Sequence, residues 1–219
     1  MKRHSRRATR SLFTTEARKS PALCSLEFLA GVLIVAGFFG PWLAHRAAAL
    51  AVTGYELSEF AKFFPQVQGG TVPVTRALFL TPLLAGAISL ALVIHRSSLG
   101  ALWRLGAMAL TAMLCLTALP PFQYILAPDY RMQLILVAGG ALLAVAAPLA
   151  RRLSERLRGI LFSLLAVAGA VPALRQVVLL RPLAASLYGS PILPGWGLVT
   201  CATGFFALLI AGLRGMTRR

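Results

Sequence analysis

The chain has 219 residues, 58% hydrophobic and 13% charged, with mean hydropathy +0.78 and a formal charge of +16. A soluble domain of this length carries about a quarter of its residues as charges. The composition excludes a disordered chain, a disulfide-rich secreted domain and an ordinary cytosolic enzyme, and it fits an all-α polytopic transmembrane helical bundle.

Residues 1–24 form a basic tail, with Lys2, Arg3, Arg6, Arg7, Arg10, Arg18 and Lys19. It reads as a cytoplasmic topology determinant lying near anionic headgroups, with a docking arm for a partner or RNA as the alternative. Ser5-Arg6-Arg7 resembles the start of a twin-arginine signal, but the first apolar run begins well downstream. That run reads as a retained helix rather than a cleaved leader. Cys24 precedes it and is badly placed for a lipoprotein cysteine.

Crossing ~30 Å of hydrocarbon takes ~20 mostly apolar residues in a helix. Six runs meet or approach this, at about 25–44, 77–94, 105–122, 132–150, 159–180 and 196–213. They predict one six-span domain over 25–213, followed by a short basic cytoplasmic tail over 214–219. Pro120 and Pro121 cut the end of the third run, and Pro172 with Arg175 predicts a kink or early stop in the fifth.

Lys/Arg bias sets orientation. With the N-terminus inside, Arg46, Lys62, Arg76, Arg131, Arg175 and Arg181 fall outside and the other 16 of the 22 Lys and Arg fall inside. The expectation is N-in and C-in. Aromatic residues agree: Trp42, Trp196, Tyr55, Tyr124, Tyr130 and Tyr188 fall at predicted outer ends and Trp103 at an inner one.

The first outer loop, 45–76, is the longest. Within it Leu57, Phe60, Ala61 and Phe64 share one helical face, while Glu56, Glu59 and Lys62 share another. This predicts a short amphipathic helix lying flat on the outer surface and ended by Pro65. It is a lid over the bundle or a contact surface for a partner or hydrophobic ligand. The other outer loops, around Pro120–Arg131 and Arg181–Trp196, are rich in proline. Together the three loops predict a compact outer cap, the first place to look for recognition. Its candidate contacts are Tyr55, Glu56, Glu59, Phe60, Phe64, Asp129, Arg131, Arg175 and Trp196. The inner loops, at 95–98 and 151–158, are too short for a catalytic domain and read as surface anchors.

Small residues recur four apart, as in Ala36/Gly40, Ala85/Ser89, Gly140/Ala144, Ala166/Ala170 and Ala207/Ala211. This spacing lets helices approach closely, within the chain or between copies.

Little in the sequence points to catalysis. None of the six acidic residues lies near a predicted span centre. Glu27 sits about one turn into the first run and is expected to reach the interface or pair with Arg96 or Arg104. His4, His45 and His95 are too far apart to share a metal or haem. Cys24, Cys115 and Cys201 are isolated and behave as small core hydrophobes. No metalloprotease, hydrolase-elbow, Walker or dinucleotide pattern is present, so no catalytic residue, cofactor or metal is assigned. Arg175 is expected to snorkel to headgroups, to bind an anionic headgroup, or to pair with Asp129, Glu56 or Glu59 and so fix the cap to the bundle.

Phe38-Phe39-Gly40-Pro41-Trp42, followed by Thr53-Gly54-Tyr55-Glu56-Leu57, resembles small multi-pass membrane proteins of bacteria. The resemblance covers the first third of the chain. It implies a bacterial inner-membrane location and carries no activity or site residues. The functional expectation is a non-enzymatic accessory or scaffold subunit, with a small permease or a lipid or hydrophobic-ligand carrier as the alternative. The expected partners are the lipid bilayer and other membrane subunits or a second copy, and no nucleic acid.

Overall fold

The computed structural model describes residues 25–45, 50–96, 100–125 and 127–217. The basic tail 1–24, Arg46, residues 97–99 and Arg218–Arg219 lie outside them. The chain is mostly helical. Four helical segments are long and apolar enough to cross a membrane: Arg76–Arg96, Pro128–Ala150, Glu155–Tyr188 and Trp196–Thr217. This is the length and composition of a membrane-embedded protein. The remaining two apolar helices, Leu26–Phe39 and Ala101–Leu116, are shorter.

Helix α1 (Leu26–Phe39) starts on the Ser25 side chain, which accepts from the Phe28 amide at 3.2 Å. It stops 14 residues later, after about 21 Å, because Gly40 precedes Pro41 and is held extended. The rest of the first apolar run is a strand. This corrects the expectation of one helix over 25–44. Strand β1 (Pro41–His45) pairs antiparallel with β2 (Leu50–Thr53) and, on its other edge, with β3 (Leu193–Pro194). An otherwise all-α bundle thus carries one small sheet.

The sheet closes the end of α1. A helix end buried away from water needs partners for its last carbonyls. Trp42 Nε1 donates to Gly37 O at 2.9 Å, and the Gly54 amide donates to Phe38 O at 3.0 Å. Trp42 is 1% exposed, so the indole expected at the headgroup layer is a core residue.

The lid follows. Thr53 and Glu56 form a reciprocal capping box. The Glu56 carboxylate accepts from Thr53 N at 2.9 Å, and Thr53 Oγ1 accepts from Glu56 N at 3.2 Å. Helix α2 (Leu57–Phe60) runs into a 3-10 turn, Ala61–Phe63. Pro65 ends this unit as expected and opens α3 (Pro65–Gln68) at its first position. Leu57, Ala61 and Phe64 are buried, and Phe60 packs edge-on against Phe64 at 5.2 Å. The expected apolar face therefore points into the protein.

Helix α4 (Thr81–Arg96) extends a 3-10 turn that begins at Arg76. Every residue from Pro82 to His95 is buried. Helices α1, α5 (Ala101–Leu116), α6 (Arg131–Ala146) and α7 (Glu155–Tyr188) surround it, and α8 (Trp196–Thr217) packs along α1 and α7. Over its span α4 is 83% buried, against 28% for the α6 span. Helix α5 buries only Thr111 and Cys115. Its hairpin with α6 is held by Gln133 Nε2, which donates to Ala118 O at 2.7 Å.

Helix α7 is one continuous element of 34 residues, with Pro172 and Pro182 inside it. The expected early stop does not occur. Proline removes an amide donor from its turn. There the Thr81 hydroxyl of α4 donates to Gly169 O at 2.9 Å. The helix ends at Gly189, where φ is +64°.

Close helix contacts run through glycine. A Cβ on Gly37 would lie 2.4 Å from the Cys201 amide nitrogen, and one on Gly159 would lie 2.5 Å from Gly212 O. Gly40, Ala85 and Gly140 from the expected small-residue pairs also make interhelical contacts.

Candidate functional site

At the β1 end of the bundle the loops gather into a cap with two halves. One half is the sheet. There His45 Nε2 hydrogen-bonds Ser190 Oγ, and the imidazole stacks on Tyr188 with centroids 5.5 Å apart. Arg181 Nε donates to Ile192 O at 2.8 Å, tying α7 to the segment that leads into β3. Each group here is spent on joining β1 to the α7–α8 connection.

The other half is an open cleft of about 920 Å³ between the 59–77 segment and the 121–132 segment. Its walls are set from below. Gln176, fully buried on α7, accepts from the Thr75 amide through Oε1 at 3.0 Å. Gln68 Nε2 donates to Lys62 O at 2.6 Å, which folds the lid back on itself. Two short 3-10 turns, Phe122–Tyr124 and Pro128–Tyr130, bring the second wall into place.

Tyr130 is the centre of the cleft. Lys62 Nζ donates to its hydroxyl and pairs with Glu59. The Arg76 guanidinium carbon lies 5.2 Å from its ring centroid, and Tyr124 stacks on it at 6.3 Å and 21°. Arg76 also donates to the main-chain oxygen of Asp129 at 3.3 Å. Pro121, Ala127 and Met132 supply an apolar rim. The arrangement has donors, carboxylates and an aromatic pair facing one open space, which suits binding. Among the described residues no three His, Cys, Asp or Glu side chains gather as metal ligands.

Of the residues singled out from sequence, Glu59 and Asp129 line this cleft. Glu56 caps the lid, Phe60 and Phe64 anchor it, and Tyr55 is exposed on its surface with its carbonyl accepting from Ser58 Oγ. Arg131 is exposed at the start of α6, beside the cleft. Trp196 is exposed at the start of α8, and a Cβ on Gly40 would meet its ring at 2.7 Å.

Arg175 does not reach the cap. It is exposed on α7 and makes no ion pair with Asp129, Glu56 or Glu59. Its neighbour Gln176 faces inward and makes the tie expected of Arg175. Among the described residues Glu27 makes no ion pair either, and Arg96 pairs instead with Glu155 at 3.1 Å at the far end of the bundle. Arg76, Tyr124 and Tyr130 are legible only as outer-side residues and Lys62 only as part of the polar face of the lid, since no spacing rule joins positions 62 and 130.

No family model, curated protein or solved structure matches this chain.

Proposed function

We propose that this chain is a non-catalytic protein of the bacterial inner membrane, crossing it six times with both termini in the cytoplasm. It serves as an accessory or scaffold subunit, and its recognition site is the cap cleft.

Six crossings are supported by the packing of the two short helices. Helix α1 runs along α8, and α5 lies against α4 and α6, so each shares a layer with helices of full length. A span shorter than the hydrocarbon is accommodated by local thinning of the bilayer. The Lys/Arg split supports the orientation. The observation that carries the recognition reading is the cleft itself: an open space in which Arg76 and Asp129 lie side by side, neither in an ion pair with a described residue.

The test is extraction of the full chain in mild detergent. The expected result is stoichiometric retention of another membrane polypeptide, reduced at least about tenfold by a rim variant, Phe122→Ala with Tyr124→Ala on the exposed turn of the second wall. Retention of no polypeptide, or retention blind to those changes, would overturn the subunit reading. A lipid-carrier role is the second reading. It is favoured by the apolar rim at Met132, which runs into the exposed face of α6 without a barrier.

A further inference from the structure

The cleft holds two neighbouring charges of opposite sign that do not neutralise each other. Arg76 donates to the main-chain oxygen of Asp129, a neutral acceptor that orients the guanidinium and leaves its charge intact. The Asp129 carboxylate makes no ion pair among the described residues. Lys62, by contrast, is matched by Glu59. A ligand that satisfies both sites carries an anion and a cation a short link apart. A guanidinium grips phosphate through two parallel N–H donors, and a carboxylate beside aromatic rings holds an ammonium.

The cleft also has a direction. Met132 on its rim starts an exposed stripe on α6 that continues through Ile135, Gly139 and Leu142. These positions fall on one side of the helix by its 3.6-residue period. A Cβ on Gly139 would meet nothing within 4 Å, so none of the described residues covers the stripe there. A polar head pocket continuous with an apolar track is complementary to an amphiphile lying parallel to the helices.

We propose that the cleft holds the headgroup of an amine-bearing phospholipid. The phosphate sits on the Arg76 guanidinium, and the ammonium sits on the Asp129 carboxylate beside the Tyr124–Tyr130 ring pair. The acyl chains run along α6 from Met132 towards Leu142. This rests on the reading of the cleft as the recognition site. An anionic phospholipid with a hydroxylated headgroup satisfies Arg76 and leaves the Asp129 charge without a counter-ion. A free phosphoamine satisfies both charges and leaves the apolar track empty.

The experiment uses the full chain, delipidated in non-ionic detergent and titrated with phosphatidylethanolamine, phosphatidylglycerol, free phosphoethanolamine and inorganic phosphate. Binding is read by native mass spectrometry and by the rise in Tm. Phosphatidylethanolamine is expected to bind at least about tenfold more tightly than the other three. Arg76→Gln and Asp129→Asn should each weaken it about tenfold, and Asp129→Asn should narrow the gap to phosphatidylglycerol. A photoactivatable phosphatidylethanolamine on the wild-type chain should label the 121–142 segment, a readout that needs no variant to fold.

Equal binding of the two lipids, free phosphoethanolamine as tight as the lipid, insensitivity to both variants, or labelling spread over the other helices would each overturn the proposal. Loss of partner retention in the rim variant with lipid binding unchanged there and in both charge variants would sink the lipid assignment and leave the subunit reading standing. Lipid binding as expected with no partner retained would do the reverse.

Discussion

Leu83 and Leu110 are both leucines inside apolar helices, and they occupy different worlds. Leu83 is fully buried on α4, the helix that four others contact, while Leu110 on α5 is 58% exposed. The contrast extends to whole elements. Helices α1, α4, α7 and α8 form a dense unit in which glycines let backbones touch, and the α5–α6 hairpin leans on α4 with most of its surface uncovered. Membrane helices gain little from hiding apolar surface from lipid, so close packing and internal hydrogen bonds decide which faces meet. Glycine and small side chains therefore mark the dense unit better than hydrophobicity does.

The largest expected break in this contrast is Gly37→Leu. The new side chain would meet the main chain of α8, which cannot move aside. The expected outcome is a loss on the order of 3 kcal/mol or more, with little monodisperse protein recovered from detergent. Next, Leu83→Ala should cost about 2–4 kcal/mol, and Leu110→Ala should stay within about 0.5 kcal/mol. Denaturation of both in one detergent compares them directly, and equal losses would erase the distinction between the two regions.

A smaller effect tests the lid. Thr53→Ala removes half of the capping box and should cost about 1 kcal/mol, with faster amide exchange confined to 53–60. The smallest effect is a pair of adjacent substitutions of unequal size. A Cβ at Gly139 meets open space, so Gly139→Ala should stabilise by up to about 0.8 kcal/mol through helix propensity. A Cβ at Gly140 falls 2.9 Å from Leu84 Cδ2, which has to turn aside, so Gly140→Ala should gain less than Gly139→Ala. Melting curves that shift by the same amount would show that Gly140, unlike Gly139, does not face Leu84 of α4.

Much of this fold was readable from local signals. The four long spans follow from apolar length, Pro65 ends what it was expected to end, and Leu57, Ala61 and Phe64 share the buried face that their spacing predicts, whereas α5 stops at Leu116, ahead of the prolines expected to cut the third run. Three things were not readable. Gly40-Pro41 ends α1 inside an unbroken apolar run, where hydropathy sees no boundary. Leu43 pairs with Pro194, a contact that no local pattern marks. The six runs are also alike in composition, so nothing in α4 announces that it is the centre.

The candidate site divides in the same way. Glu59 and Asp129 are legible as polar residues of two outer loops. Lys62, Arg76, Tyr124 and Tyr130 come together only once the lid and the α5–α6 connection are folded. Gln176 outranks Arg175 because a neutral amide can be buried with one hydrogen bond. A guanidinium there would need a full counter-charge.

The placement of α4 at the centre is most directly tested by oxygen accessibility of single spin labels in lipid bilayers, scanned over 82–95 and over 131–146. The account predicts a flat, low profile along α4 and a profile with the 3.6-residue helical period along α6. A periodic profile on α4 equal in depth to that on α6 would contradict it.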